Sequence, residues 1–474
     1  MLTRLLLRVS ALGAKFALTL VVARVLGFGA VADYGLAVAA SVIASKLFGL
    51  GFSAEINRRL AAAEPREAIR DARRIGGVYA AFYALVAAAG ALCTDAYAWF
   101  GASTASTGAA VLAVVIAEHY AFEANSYVFS LHRTDAGARM MFVRTGLWPA
   151  FAIAALAAGW IGRIETVLWM WAGANAVVIV WAWAAIARLA RAAQPGGSRA
   201  GHAGHTKRGA AAAGRLWRDG AAFYVGAVLL SAMQYGERFV ADRLLGHDAL
   251  GRYVFGWSIA NSVQTVSYAV LVVMAAPVLA RAATDAPAKF MPLVVRFVGR
   301  TGALALALSV AIAALSAPIF RLAHETPGPD GALVLAALLA SFVVRSIADI
   351  AWAAAVALRE GRRVASGMAV LGALSIANDC LLIGRFGATG AALAHLCASV
   401  AIAGWLAWVI RRRAPRASAG TAGTAGTAGT AGTAGTAGTA GTAACAGCTA
   451  CDAQTGRAAL DAARREAQEG RHVA

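Results

Sequence analysis

Long apolar stretches alternate with short polar or basic ones along most of the chain. Runs of about 18 to 26 residues, each able to cross a ~30 Å hydrocarbon core as a helix, fall near 9–27, 33–52, 75–97, 107–131, 141–162 and 165–187. After a break they resume near 220–245, 253–276, 297–320, 331–357, 364–384 and 388–410. The pattern predicts an all-α, polytopic membrane protein with twelve transmembrane helices. Residues 1–193 form a first six-span lobe, 194–219 a cytoplasmic linker, 220–413 a second lobe and 414–474 a disordered cytoplasmic tail.

One stretch occurs twice. Residues 23–34 read ARVLGFGAVADY and residues 242–253 read DRLLGHDALGRY, so that Arg24, Leu26, Gly27, Ala30 and Tyr34 fall on Arg243, Leu245, Gly246, Ala249 and Tyr253 without a gap. Each copy joins two apolar runs, and six runs separate the copies. A repeat at that offset predicts two lobes of the same orientation, related by a pseudo-twofold axis along the membrane normal. Gly27 and Gly246 suit helix ends that need a residue without Cβ. Tyr34 and Tyr253 suit the interface, with the ring among headgroups and the hydroxyl in water.

Composition agrees with the runs. The 474 residues are 60% hydrophobic and 14% charged, with mean hydropathy +0.65. The net charge of +19 would suggest nucleic acid in a soluble chain, but in a membrane protein it reports topology, and no nucleic-acid partner is expected. About 29 Lys and Arg fall in one set of connections and about seven in the other, which puts both termini in the cytoplasm. Arg133, Arg139 and Arg144 are counted with the cytoplasmic connections.

Catalytic and metal signatures are missing. There is no Walker A loop and no H-E-x-x-H helix, and the extracytoplasmic loops are short, so neither an enzyme nor a cofactor is expected. Cys93, Cys380 and Cys397 lie in apolar runs and read as small buried hydrophobes. Cys445, Cys448 and Cys451 sit in the tail without a fourth ligand, and His202 and His205 read as solvated linker histidines. Linker residues 194–214, rich in Gly and Ala, predict a mobile strap, and the Gly-Thr-Ala triplets after Arg416 cannot bury a core.

The remaining chemistry is ionisable groups inside apolar runs, which mark a wet path or an internal pair. The cations are Lys15, Arg24, Lys46, Arg238 and Arg345, the candidates to line a substrate-binding cavity. Lys46 and Arg345 lie deepest and are expected to line an internal cavity, whereas Lys15 and Arg24 are near enough to run ends to snorkel. Glu118, Glu123 and Asp349 are candidates for ion coupling, with a fixed interhelical bond to Lys46 the alternative for the two glutamates. Arg238 with Asp242 and Arg345 with Asp349 are spaced to close salt bridges on one helix face. Asn175, Asn261 and Gln264 suit interhelical hydrogen bonds.

The first hairpin, with AR-x-LG at 23–27, Tyr34, and Gly49-Leu50-Gly51 followed by basic residues, resembles the opening of the polysaccharide-biosynthesis flippases of the multidrug/oligosaccharidyl-lipid/polysaccharide exporter superfamily. The second half repeats it with Asp242-Arg243, Leu245-Gly246, Gly251-x-Tyr253 and Pro277-x-Leu279-Ala280, although Ala32 stands where the second copy has Gly251. The resemblance implies two six-helix lobes around a central cavity that opens alternately to each side. It also implies export of a polyprenyl-pyrophosphate-linked oligosaccharide for O-antigen, capsule or exopolysaccharide, with a polysaccharide polymerase and a chain-length regulator as partners. The rival readings are a multidrug antiporter, a polymerase- or ligase-type membrane enzyme and a non-transporting scaffold.

Overall fold

The computed structural model describes residues 2–49, 56–57, 60–61, 66–92, 104–192, 206–325 and 329–419. In chain order its helices are α1 (Leu2–Leu26), α2 (Phe28–Phe48), α3 (Arg66–Leu92), α4 (Ala105–Ser130), α5 (Thr134–Phe142), α6 (Trp148–Ala157), α7 (Ile164–Ala192), α8 (Thr206–Tyr235), α9 (Glu237–Leu245), α10 (His247–Ser267), α11 (Val273–Asp285), α12 (Pro287–Leu322), α13 (Pro329–Ala357) and α14 (Gly361–Ala419). Each of the twelve apolar runs overlaps helix. Nine helices among the described residues are long and apolar enough to cross a membrane. The chain is an all-helical, multi-pass membrane protein.

Two spans are kinked, and each kink has a local cause. A π-helical turn at Val143–Leu147 joins α5 to α6, and another at Tyr268–Val272 joins α10 to α11. Pro149 and Pro277 follow these turns. A proline has no N–H to return to the carbonyl four residues back, so the helix widens just before it. The first π-turn matters for the site because it carries Arg144 inward. In α14 the backbone breaks at Gly387, with φ of 61°.

The two copies of the repeat pack on each other. Gly27 and Gly246, with φ of 86° and 82°, turn α1 into α2 and α9 into α10. A residue with a Cβ is strained there. α2 then lies along α10. Apolar lipid tails supply no hydrophobic drive between helices, so such contacts depend on close packing of small residues. Val31, Ala32, Gly35, Leu36, Ala37, Ala39 and Ala40 of α2 are all buried.

Across this seam, residues meet their own repeat equivalents. The offset that carries Gly27 onto Gly246 pairs Gly29 with Asp248 and Gly35 with Val254, and both pairs face each other. Asp33 meets His247, and the equivalent pair, Arg252 and Phe28, also meets, with the guanidinium carbon 5.3 Å from the ring centroid. Reciprocal contacts of this kind are what a twofold axis produces.

Several expectations are corrected. Tyr34 and Tyr253 are buried, not in the headgroups: Tyr34 lies against Trp171 at 5.9 Å between centroids, and the Tyr253 hydroxyl donates to Glu237. They face inward because α2 and α10 pack on each other. Arg144, counted as a loop residue, is buried within a span. Cys380 and Cys397 are exposed, since in a bilayer the outer surface is as apolar as the core. Thr206–Asp219, assigned to the linker, is helical, and so is the start of the predicted tail as far as Ala419. Residues 193–205 and 420–474, with His202, His205 and the three tail cysteines, lie outside the described residues, as does Cys93.

The apolar surface is apportioned as a bilayer requires. One buried cluster spans both halves through Leu36, Trp171, Val254, Phe255 and Phe342. Val78 and Leu85 of α3 and Leu306 and Val310 of α12 point outward, where acyl chains surround them.

Candidate functional site

A belt of buried polar groups crosses the bundle beneath the paired hairpins. Its second-half end is built on α8, α9, α10 and α13. α8 passes into α9 at Gly236, whose backbone stays helical, and Arg238 reaches toward α2. The Arg238 Nη1 donates to the carbonyl of Gly35 at 2.8 Å, across the seam between the halves. Its guanidinium carbon lies 4.0 Å from the Trp257 ring centroid and 5.1 Å from that of Tyr235. Both contacts place the cation over an aromatic face, a favourable arrangement once desolvated. The side chain is 1% exposed, yet its Nε and Nη2 have no hydrogen-bond partner among the described residues. Donors left this way are expensive in an apolar interior and call for a ligand or a second conformation.

Arg345 is differently placed. Its Nη2 donates to Gln234 Oε1 at 3.0 Å and to the Leu230 carbonyl at 3.3 Å. Gln234 passes a hydrogen bond to Gln264 Oε1 at 3.0 Å, and Gln264 donates to Asp349 Oδ2 at 2.9 Å. A relay of two amides thus joins Arg345 to Asp349, and all four side chains are buried. Nearby, Tyr253 donates to Glu237 Oε1 at 2.6 Å, and Asp379, also buried, is close enough to act on Glu237 electrostatically.

The first-half end is a network centred on Glu118. Arg144 Nη1 donates to Glu118 Oε1 at 2.7 Å, while Trp171 Nε1 and Asn175 Nδ2 donate to Glu118 Oε2 at 2.9 and 2.8 Å. Both carboxylate oxygens are engaged, as a buried carboxylate requires. Trp148 stacks on Trp171 at 5.4 Å, and Lys15 Nζ sits 5.5 Å from the Trp171 ring centroid. Tyr34 lies between the two ends, within electrostatic reach of Glu118 and Arg238.

Of the predicted residues, Arg238, Arg345 and Asp349 share the second-half end, and Lys15 and Glu118 share the first-half end. Lys46 and Glu123 are elsewhere, facing each other near the far end of α2. There His119 Nε2 lies 3.9 Å from Glu123, and the Tyr83 hydroxyl lies 2.5 Å from His119 Nδ1. Arg24 is exposed on the last turn of α1. Glu118 bonds to Arg144 rather than to Lys46, and Arg238 turns to Gly35 while Asp242 pairs with His247.

Comparison with known proteins adds the following. A family model described as polysaccharide biosynthesis protein matches residues 4–283. Comparison with curated protein sequences gave no match. Among solved structures, an inward-facing multidrug resistance MATE family transporter of the MOP superfamily is similar with TM-score 0.64 at 13% identity, covering 86% of this chain and 95% of that one. The lipid II flippase MurJ in an inward closed conformation gives 0.58 at 11% identity, covering 88% and 90%. A MOP superfamily transporter from Pyrococcus furiosus, described by a binding pocket of reverse polarity, gives 0.51 at 12% identity, covering 87% and 92%. At these identities the likeness is one of fold.

Proposed function

Because the chain belongs to the polysaccharide biosynthesis protein family, we propose that it is a flippase that moves a polyprenyl-pyrophosphate-linked oligosaccharide from the inner to the outer leaflet of a bacterial inner membrane by alternating access. In this reading twelve spans form two six-helix lobes, the basic connections and both termini face the cytoplasm, and the product feeds O-antigen, capsule or exopolysaccharide assembly by a polymerase and a chain-length regulator.

The observation that carries the proposal is Arg238: a desolvated guanidinium between the two halves with Nε and Nη2 unengaged. A guanidinium fork matches phosphate oxygens two at a time, and its charge is permanent. Lys15 and Arg345 add positive charge at the two ends of the belt, while the lipid tail stays in the bilayer. Trp171 and Trp257 offer apolar faces beside those cations. Outward movement of negative charge is favoured by about 2.3 kcal/mol per charge per 100 mV, so a headgroup of roughly two charges gains about 4 to 5 kcal/mol from the membrane potential. Among the candidates for a coupling ion, Glu118 is held by three donors and serves structure, which leaves Glu123 and Asp349.

The test is translocation of a fluorescent polyprenyl-pyrophosphoryl oligosaccharide by the purified full chain in proteoliposomes. Arg238→Gln is expected to lower the rate on the order of 30- to 1000-fold, the cost of losing a buried charge contact of about 2 to 4 kcal/mol, with the protein still folded. Full activity in that variant refutes the role of Arg238, and extrusion of cationic dyes in place of lipid-linked sugar favours a multidrug antiporter.

A further inference from the structure

The same turn of α2, Asp33 to Gly35, is gripped twice by the second half of the chain. Arg238 holds it by the carbonyl of Gly35. His247 holds it by the side chain of Asp33: His247 Nε2 lies 3.3 Å from Asp33 Oδ1, an ion-pair contact without hydrogen-bond geometry, and His247 Nδ1 is hydrogen-bonded to Asp242 Oδ1 at 2.9 Å. The imidazole therefore bridges a carboxylate from each copy of the repeat. Asp248 adds a third carboxylate beside Gly29. Arg252, a cation on the first turns of α10, is engaged by Glu325 at 3.1 Å and lies over Phe28.

The two grips differ in what releases them. His247 is bound by fixed carboxylates that belong to the protein. Arg238 is bound to Gly35 by one neutral carbonyl, a weaker acceptor than a phosphate oxygen, which makes charge-assisted hydrogen bonds roughly twice as strong. Resting on the functional reading above, we propose that these two struts form a substrate-sprung gate. An anionic headgroup takes Arg238 from the Gly35 carbonyl and frees one strut, which leaves the His247 bridge as the second of the pair to break. Opening separates α2 from α10 at the Gly27 and Gly246 hairpins, the outward end in the proposed orientation. Once His247 lets go, Asp33, Asp242 and Asp248 line the exit with negative charge and disfavour return of the headgroup.

The gate is tested on the full chain in lipid nanodiscs, with native cysteines replaced and spin labels on Val25→Cys and Leu244→Cys, exposed and repeat-equivalent positions beside the two hairpins. The wild-type background is expected to give a short separation. His247→Ala raises the long-separation fraction on the order of tenfold, as loss of one partly buried ion pair should, Asp33→Asn does the same, and His247→Lys restores the short distance. Millimolar inorganic pyrophosphate lengthens the separation in the wild-type background and further in His247→Ala, but not in Arg238→Gln. Arg238→Lys, which keeps the charge without the fork, responds weakly and covers the case in which Arg238→Gln fails to fold. An unchanged separation in both His247→Ala and Asp33→Asn, an equal response to pyrophosphate in Arg238→Gln, or no response to it in His247→Ala overturns the gate. Flipping that persists without a pyrophosphate response refutes the gate and leaves the flippase reading standing, whereas a pyrophosphate response without flipping does the reverse.

Discussion

Two buried arginines on either side of the seam are treated in opposite ways. Arg144 is tied to Glu118 by a 2.7 Å bond, and Trp171 and Asn175 complete the coordination of the carboxylate. Arg238 has no carboxylate as hydrogen-bond partner: it has one carbonyl, two aromatic faces and two idle donors. Burial alone does not separate them, since both are at most 2% exposed. What separates them is the hydrogen-bond partner: Arg144 donates to a carboxylate and keeps one unpartnered nitrogen, whereas Arg238 donates only to a carbonyl, with Glu237 in electrostatic reach, and keeps two among the described residues. A guanidinium bonded to a carboxylate is part of the framework, and one bonded only to a carbonyl keeps donors for a ligand.

The comparison breaks most easily at Glu118. Glu118→Ala leaves Arg144 buried without its counterion and is expected to cost about 3 to 5 kcal/mol, read as loss of folded protein in membranes by fluorescence-detected size exclusion. A Glu118→Ala protein as stable as wild type removes the distinction between framework and site. The amide relay should lie between the extremes. Gln264→Leu removes the acceptor of Gln234 and one donor to Asp349 and is expected to cost about 1 to 3 kcal/mol, with a measurable drop in thermal stability and a smaller loss of translocation than Arg238→Gln. At the other end, Arg24→Ala changes an exposed cation and should alter stability by less than about 0.5 kcal/mol. A large loss of transport with stability intact would move Arg24 into the substrate path.

The helices were legible because a span must be apolar along its whole length, a signal that needs no partner. The duplicated hairpin was legible as a repeat, although not its packing of one copy on the other, and Gly27 and Gly246 take the positive φ that their placement at helix ends implied. Charged residues inside apolar runs stood out for the same reason, so Arg238, Arg345 and Glu118 were visible as unusual. Their partners were not. Arg144 meets Glu118 from 26 positions away, and Arg345 meets Gln234 from 111. Periodicity along one helix carries no information about such contacts. Counting Arg144 with a loop failed because the π-turn that carries it inward depends on Pro149, a local signal that hydropathy ignores. The His247 bridge had a sequence trace: one hairpin copy carries Asp33, and the other carries a histidine between Asp242 and Asp248.

Gly35 facing Val254 shows what joining the two halves in one polypeptide permits. Were the halves separate and identical, the residues facing each other there would be two copies of one side chain. Two valines do not fit, since even a Cβ on residue 35 falls 2.5 Å from a methyl of Val254, and two glycines leave a hole. In a single polypeptide the two positions are free to differ, and one small and one large residue together fill the space that two valines overfill and two glycines leave empty.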